Sequence, residues 1–379
     1  MQKFLINPNS HSKIDLPPFS HDALEFHRSL PGYSPSPLHS VKKLAKTLGC
    51  NNLYIKDESN RLGLPAFKIL GASYATIKAL EQNFGVKYSG IEDFRKKLAE
   101  IGNLRLITAT DGNHGRAVAH IANLLGLKAT IYVPKHTKKA RIEGIESEGA
   151  EVVIIEGNYD SAVEIASKQD GVIIQDTGYP GYEDIPKNIV EGYSTMFWEI
   201  EEQLRAQNLP YPDIVIAPIG VGSFISAVVQ FYKSTSRNRP KILGVEPETA
   251  PCALEAIRQD KIIALVGPYE SVMAGLSCGK ISTISFPILK QGVDAFILAS
   301  DLQALYAMKN LSKANIESGE SGAASYAGAH ILFSKEGKSL REYFQIDEST
   351  NILIFSTEGV TDPEMYEAVM RVNNLEDLL

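Results

Sequence analysis

The chain of 379 residues is long enough for about two domains, and its 44% hydrophobic and 22% charged residues are typical of a globular protein. Its formal net charge of -7 excludes a global electrostatic attraction to nucleic acid or to an anionic membrane surface. The three cysteines are too few and too scattered for a disulfide scaffold or a zinc module, so we expect no metal site. The N-terminus resembles no signal peptide and no apolar run approaches the roughly 20 residues of a membrane span, so we expect a cytoplasmic protein.

Short β-branched runs alternate with longer amphipathic runs, which predicts α/β units with mostly parallel sheets. The polar, lysine-rich run 82–103 is interpreted as the entry to a smaller domain, and the turn at 179–182 as lying near its exit. The sequence thus predicts a large domain of residues 1–83 and 189–379, with a small α/β domain of residues 84–188 inserted in it. The predicted strands are 104–109, 129–133, 151–155, 171–175, 213–218, 241–245 and 351–355, and the predicted helices include 115–125, 138–148 and 159–168.

Lys68 lies in an apolar run, Leu-Pro-Ala-Phe-Lys-Ile-Leu-Gly-Ala, at the start of a predicted helix. Apolar neighbours disfavour the ammonium form of a lysine and so favour a neutral amine that can form an imine with an aldehyde. A structural lysine that extends its ammonium to solvent from a helix end fits the same run. Both interpretations are open from this run alone.

Residues 108–116, Thr-Ala-Thr-Asp-Gly-Asn-His-Gly-Arg, follow a predicted strand and open a helix. Thr110, Asp111 and Asn113 therefore project at the carboxyl end of a strand, which is where ligands bind in open α/β sheets. Polar residues before a helix also serve as N-caps without any ligand, and this alternative stays open.

Residues 217–224, Ala-Pro-Ile-Gly-Val-Gly-Ser-Phe, predict a strand, a glycine turn and a helix that begins near Phe224. Backbone N–H groups of Gly220, Val221, Gly222 and Ser223 can surround an anion at the helix N-terminus, although two glycines in such a turn can have steric reasons alone. The turn lacks the lysine of a Walker loop and the third glycine of a dinucleotide fingerprint, which argues against a nicotinamide dehydrogenase. An amine, an anion-binding turn and polar side chains for ring substituents together fit one ligand, pyridoxal 5′-phosphate (PLP).

Seven motifs in this order resemble those of the fold-type II PLP-dependent enzymes, the group of threonine dehydratase, tryptophan synthase β and cysteine synthase. Within that group the chain is most similar to the diaminopropionate ammonia-lyases, from about residue 26 to residue 364. The resemblance implies two open α/β domains, a homodimer, and α,β-elimination of 2,3-diaminopropionate to pyruvate and two ammonia. The motifs lie at residues 56–59, 66–68, 110–116, 175–177, 220–224, 273–279 and 318–323.

The resemblance also assigns the cofactor-binding residues. It implies that Lys68 forms the Schiff base, that Gly220 to Ser223 hold the phosphate, and that Asn113 bonds the ring hydroxyl oxygen. Ser356 or its neighbour Thr357 would face the pyridine nitrogen, where a hydroxyl group favours a neutral ring.

Two aspartates carry the implied substrate chemistry. Asp111 stands where the hydroxy-amino-acid dehydratases usually have a small residue, and it is expected to take the Cα proton of the D-isomer, whereas Lys68 serves the L-isomer. Asp176 is expected to bind the second amine of the substrate as an ammonium. Thr110 and Tyr159 complete the predicted substrate site. For each aspartate, a cap or turn role is the alternative.

Four other residues qualify the resemblance. Cys252 and Cys278 match positions that the family also fills with cysteine and can pair as a disulfide, and two thiols are the alternative in a reducing compartment. His114 is expected to support its loop. Pro65 stands where close relatives have asparagine, which leaves the substrate range open.

Two other functions compete with the ammonia-lyase interpretation. One is a serine or threonine dehydratase of the same fold, against which Asp111 and Asp176 argue because a hydroxyl leaving group needs no anionic partner. The other is a non-catalytic small-molecule-binding protein on the same scaffold, which would have little use for Lys68 and both aspartates.

Overall fold

The computed structural model describes residues 3–110, 112–235 and 239–379, so the predicted catalytic residue Asp111 lies outside the described residues. Within these ranges, no helix is long and apolar enough to cross a membrane. The same ranges contain no group of three His, Cys, Asp or Glu side chains that could hold a metal ion.

The strands of the described residues form one seven-stranded and one four-stranded sheet. They are β1 (Phe4–Ile6), β2 (Leu38–Ser40), β3 (Asn52–Asp57), β4 (Arg105–Ala109), β5 (Lys128–Pro134), β6 (Glu151–Ile155), β7 (Val172–Ile173), β8 (Ile214–Pro218), β9 (Lys241–Pro247), β10 (Ala295–Ala299) and β11 (Asn351–Ser356). The large sheet has the order β1-β10-β9-β8-β11-β3-β2, and the small sheet has the order β6-β5-β4-β7. The edge strands β1 and β2 run antiparallel to their neighbours, and the other described pairs are parallel.

The helices connect these strands and cover the sheets. They are α1 (Asp22–Arg28), α2 (Lys42–Leu48), α3 (Lys68–Phe84), α4 (Ile91–Ile101), α5 (Asn113–Leu125), α6 (Lys139–Glu146), α7 (Tyr159–Ala166), α8 (Asp184–Gly192), α9 (Ser194–Ala206), α10 (Ser223–Gln230), α11 (Cys252–Arg258), α12 (Ser285–Gly292), α13 (Asp301–Ser312), α14 (Ala324–Phe333), α15 (Lys338–Phe344) and α16 (Pro363–Arg371), with a π-helical turn at Phe231–Thr235 and 3-10 turns at Ala274–Leu276 and Leu375–Leu378.

The large sheet is buried on both faces. Along β8, Val215 and Ala217 belong to one hydrophobic cluster, whereas Ile214 and Ile216 belong to another. Since successive side chains of a strand point to opposite faces, each face of the sheet has its own core. Strands that are buried on both faces are apolar almost throughout, which is the pattern that predicted parallel α/β units.

Helix α3 joins the two sheets and begins at Lys68. It packs against α5, which lies on strands β4 and β5 of the small sheet, and against α8. Its residues from Ile69 to Ile77 are all buried, so the helix is held on all sides. Lys68 therefore projects from the fixed end of a rigid helix at the junction of the two sheets.

The predicted α/β architecture with mostly parallel sheets is confirmed, although the sequence prediction omits β1, β2, β3 and β10. Strand β3 is fully buried despite Lys56 and Asp57, because Lys56 is paired inside the protein with Glu199. The predicted strand 171–175 is shorter, and its last residue, Gln175, uses its side chain to bond Thr108 and Ala109. All strands of the small sheet lie inside the range predicted for the small domain, whose boundaries stay a prediction.

Candidate active site

A cleft lies where the carboxyl ends of β8 and β11 of the large sheet face those of β4 and β7 of the small sheet. It encloses about 710 Å³ of empty space, its open mouth included. Each strand is followed by residues that line this cleft, which is the expected position of a ligand site in an open α/β sheet. Among the lining residues are Lys68, Thr110, Asn113, Tyr159, Asp176, Gly220, Val221, Gly222, Ser223 and Thr357.

Lys68 lies between an apolar wall and a carboxylate. Its Nζ is 5.7 Å from the centroid of the Phe67 ring and donates a hydrogen bond of 2.6 Å to Oδ2 of Asp176. The side chain is 21% exposed, on the side of the cleft. The expectation that apolar neighbours favour a neutral amine is therefore incomplete, because the adjacent carboxylate favours the ammonium form.

Asp176 is a buried carboxylate with several donors. The hydroxyl of Tyr159 donates a 3.0 Å hydrogen bond to its Oδ1, opposite the bond from Lys68. Burial acts to raise the pKa of Asp176, but the charge of Lys68 and the hydrogen bonds from Lys68 and Tyr159 hold that pKa well below its usual range. The residue is therefore a buried, ionised group that can hold a cation.

His114, in helix α5, bonds the backbone just after strand β7. Its Nε2 lies 2.8 Å from the carbonyl oxygen of Ile174, which can only accept, so Nε2 carries the hydrogen. Burial lowers the pKa of His114, which favours the neutral ring. Its Nδ1 lies 4.0 Å from Oδ2 of Asp176. The contacts are those of a residue that supports the loop before α5.

Thr110 caps the N-terminus of α5. Its Oγ1 accepts hydrogen bonds from the backbone N–H groups of Gly112, at 2.9 Å, and Gly115, at 3.1 Å. A Cβ atom at Gly115 would lie 2.3 Å from Cγ2 of Thr110, so a side chain there would displace the cap. Thr110 thus bonds the backbone at the start of α5 and also lines the cleft, and its part in substrate binding stays a prediction.

Asn113 reaches across from the small sheet to the large one. Its Nδ2 donates a hydrogen bond to Oε2 of Glu358, which follows β11. Asn113 also lines the cleft, as the predicted ring-binding residue requires. The role of the adjacent Asp111 stays a prediction.

The glycine turn before α10 has the features of an anion site. Gly222 has a φ of 99°, and a Cβ atom there would lie 2.7 Å from Cβ of Ser285, so glycine is required. N–H groups in the first turn of a helix have no intrahelical acceptor and carry partial positive charge. Ser223 donates its hydroxyl to the carbonyl oxygen of Asp176 at 2.6 Å, which ties the turn to the small sheet. This donor set fits a phosphate group in the open cleft.

Of the two hydroxyl groups expected near a pyridine nitrogen, Thr357 is the one in the cleft wall. Ser356 is the last residue of β11, is buried, and donates its hydroxyl to Oγ of Ser318 at 2.8 Å. The assignment of Ser356 to the cofactor stays a prediction. Its neighbour Thr357 is better placed to contact a ligand, because it lines the cleft.

Three further cleft residues have no role in the sequence analysis. Gly275 and Ser321 lie in two of the seven motifs, and Glu358 follows β11 outside them. The hydroxyl of Ser321 accepts a 3.1 Å hydrogen bond from the backbone N–H of Gly275, so the two motifs hold each other. Position in a motif was the available signal, but it cannot show which motifs meet in space.

Cys252 and Cys278 flank the glycine turn as buried thiols rather than as a disulfide. The Cys252 thiol donates to the carbonyl oxygen of Gly220 at 3.5 Å. A Cβ atom at Gly220 would lie 3.3 Å from Sγ of Cys278. Both thiols therefore pack under the predicted phosphate site.

Comparison with known proteins agrees with this geometry. Residues 30–342 match the family described as pyridoxal-phosphate dependent enzyme. The chain is 38% identical to the diaminopropionate ammonia-lyase of Salmonella typhimurium, over 92% of this chain and 91% of that protein. It is 33% identical to the diaminopropionate ammonia-lyase of Escherichia coli (strain K12), over 92% of this chain and 90% of that protein.

A crystal structure of the E. coli diaminopropionate ammonia-lyase, in complex with an aminoacrylate-PLP azomethine reaction intermediate, superposes with a TM-score of 0.87. The sequence identity is 31%, and the match covers 97% of this chain and 96% of that one. The predicted resemblance, the fold type and the cofactor are confirmed. The chain belongs to the family of pyridoxal-phosphate-dependent enzymes.

Proposed function

We propose that this protein eliminates ammonia from 2,3-diaminopropionate and releases pyruvate and a second ammonia. The observation that carries the proposal is the contact between Lys68 and Asp176, in which a buried carboxylate holds an ammonium at 2.6 Å inside a PLP-type cleft. The similarity to diaminopropionate ammonia-lyases over nine-tenths of both chains supports the same substrate.

Different residues of the cleft would bind different parts of the cofactor. Lys68 would attach it covalently, Gly220 to Ser223 would hold its phosphate, Asn113 would bond its ring oxygen, and Ser356 or Thr357 would face its pyridine nitrogen. When bound, PLP supplies an electron sink that stabilises negative charge at the substrate Cα.

Asp176 favours a diamino acid over a hydroxy amino acid. When the Lys68 amine is engaged covalently, it no longer serves Asp176 as an ammonium, and a buried carboxylate without a cation is costly. The second ammonium of diaminopropionate restores that partner, whereas the hydroxyl of serine does not. Tyr159 fixes the other oxygen of the carboxylate and so aims Oδ2 at the incoming group.

The protons of the reaction are handled by the chain's own side chains. Lys68 takes the Cα proton of the L-isomer, and Asp111 is proposed to take that of the D-isomer. The β-carbon–nitrogen bond then breaks with its electron pair on nitrogen, so that an ammonium held at Asp176 leaves as neutral ammonia.

Pyruvate formation from diaminopropionate and from serine tests the substrate. We expect kcat/KM to be higher for diaminopropionate by at least about a hundredfold, because the contact with a buried carboxylate is lost with serine. A preference for serine by a wide margin would contradict the ammonia-lyase assignment and favour a dehydratase. Failure to convert either amino acid would favour the non-catalytic binding protein.

The absorption spectrum of the purified protein tests the attachment of the cofactor. The wild type should show an imine band that is absent in Lys68→Ala. Lys78→Ala is the matched control, since Lys78 lies on the same helix and pairs only loosely with Glu81, at 4.0 Å. A band that survives in Lys68→Ala would move the imine to another lysine.

The assembly and location are proposed on the same basis. We expect a homodimer, as is usual in the family that the motifs resemble, in the reducing cytoplasm, where Cys252 and Cys278 stay thiols. Light scattering should give twice the 41.5 kDa of one chain, and a monomer would contradict the dimer.

A further inference from the structure

Glu358 is a buried carboxylate in the cleft wall that has no role in the reaction described above. It follows β11 by two residues, and its backbone is clamped. The N–H of Gly319 donates to its carbonyl oxygen at 3.1 Å, and a Cβ atom at Gly322 would lie 2.4 Å from the same oxygen. The backbone of Glu358 is therefore fixed in place, which restricts the positions that its carboxylate can reach.

Both oxygens of this carboxylate accept hydrogen bonds. Oε1 accepts from the backbone N–H of Ser321 at 3.0 Å, and Oε2 accepts from Nδ2 of Asn113. The contact with Asn113 joins the large sheet to the small one.

A carboxylate can only accept, and this property decides which end of the Asn113 amide faces Glu358. The amide nitrogen must point at Oε2, so the amide oxygen points elsewhere. Since an amide nitrogen has two hydrogens, a second N–H remains for an acceptor in the cleft that Asn113 lines. Without Glu358 the amide can rotate by half a turn and present its oxygen to the same place.

A second buried carboxyl group, that of Glu320, lies near Glu358. Burial, followed by the charge of Glu358, raises the pKa of Glu320 to about 7. Lys138 and Arg141 act in the opposite direction, with Nζ of Lys138 3.8 Å from Oε1 of Glu320. Oε1 of Glu320 makes no hydrogen bond among the described residues, so this oxygen takes no part in the contact between Glu358 and Asn113.

We infer that Glu358 is a positioning residue for the cofactor ring. It orients the amide of Asn113 so that an N–H group, and not the carbonyl oxygen, faces the ring oxygen of PLP. This inference rests on the proposed function, in which Asn113 bonds that oxygen. A donor at the ring oxygen affects the binding and the absorption of the cofactor, so both report on the orientation.

The affinity of the PLP-depleted full-length protein for PLP, with the imine absorption band, tests the inference. Glu358→Ala should weaken PLP binding by about tenfold, and Glu358→Gln by about threefold, because one amide oxygen cannot serve both donors. Both should shift the band or the pH at which it titrates. Glu320→Gln is the matched control, and its affinity should stay within about twofold of the wild type.

The Asn113→Ala background separates an indirect role from a structural one. If Glu358 acts through Asn113, adding Glu358→Ala there should weaken PLP binding by less than about twofold further. Full additivity, or an unchanged band and affinity in the single variants, would overturn the inference. Where Glu358→Ala does not fold, Glu358→Gln alone decides by the same criteria.

The proposed function and the positioning role of Glu358 can be contradicted by different results. If the wild type shows no imine band that Lys68→Ala removes, then the attachment at Lys68 is wrong and the role of Glu358 falls with it. A wild type with that band and a Glu358 series without effect overturns only the positioning role.

Discussion

Two lysines of this protein, Lys56 and Lys68, each contact a buried carboxylate, yet their surroundings differ. Lys56 is fully buried, and its Nζ donates to Ser36 O at 2.8 Å, Glu199 Oε2 at 2.8 Å and Gln203 Oε1 at 3.0 Å. All three of its N–H groups are used. Lys68 is 21% exposed and faces an open cleft. Burial of a charged group therefore does not distinguish the lysine that is proposed to react, whereas the empty space of the cleft beside its amine does.

The surroundings of Lys56 form a closed network of four charges, which we call the Glu199 cluster: Lys56, Glu58, Arg61 and Glu199. Arg61 donates to Glu199 Oε1 at 2.7 Å and to Glu58 Oε2 at 2.8 Å. Two cations and two anions balance, and each has several partners, so the cluster fixes the end of β3 and the residues after it against α9. Such a network resists change, because loss of one member leaves a buried charge without a partner.

The largest expected effect on stability comes from breaking this cluster. Glu199→Gln should lower the free energy of unfolding by about 3–5 kcal/mol, since Lys56 and Arg61 then lose their common anion. Urea unfolding measures the loss. Glu202→Gln, on the same helix, removes a surface pair with Arg28 and should cost less than about 1 kcal/mol. Equal costs for the two variants would show that the cluster is not special.

Asp176→Asn tests the site around Lys68, the lysine that faces the cleft. We expect kcat/KM for diaminopropionate to fall by about 10²- to 10³-fold, because the ammonium at the cleft loses its charged partner. The activity ratio of diaminopropionate to serine should fall with it. Asp184→Asn, an exposed change at the start of α8, is the control and should leave both activities unchanged. An unchanged substrate ratio in Asp176→Asn would remove Asp176 from substrate selection.

The contrast also explains what the sequence could and could not predict. Lys68, the glycine turn and α5 were found because each depends on neighbours a few residues away. The contact of Lys56 with Glu199 spans 143 positions, and that of Asn113 with Glu358 spans 245. No local pattern encodes such a contact, so a charged strand such as β3 was missed and Glu358 received no role.

The acid sensitivity of the fold should trace in part to the Glu199 cluster. Burial acts to raise the pKa of Glu199, but Arg61 and Lys56 lower it from 4.5 to about 2. A carboxyl group with a depressed folded pKa contributes stability above pH 4.5, and this contribution is lost as the pH falls toward 2. Between pH 5 and pH 3 the wild type should lose about 2 kcal/mol more than Glu199→Gln does. Parallel profiles in urea unfolding would assign the acid sensitivity to other carboxyl groups.

The smallest effect concerns the end of β11, where the sequence named Ser356 and the cleft contains Thr357. Ser356 already donates its hydroxyl to Ser318, so Ser356→Ala removes a bond inside the protein and should change kcat by less than about threefold. Thr357→Val removes a hydroxyl from the cleft wall and should lower kcat by about tenfold, with a shift of the imine band. The absorption spectrum separates the two, because only a residue that contacts the ring moves the band. A shift in Ser356→Ala without one in Thr357→Val would restore Ser356 as the partner of the pyridine nitrogen, and it would mean that the hydroxyl turns away from Ser318 when the cofactor binds.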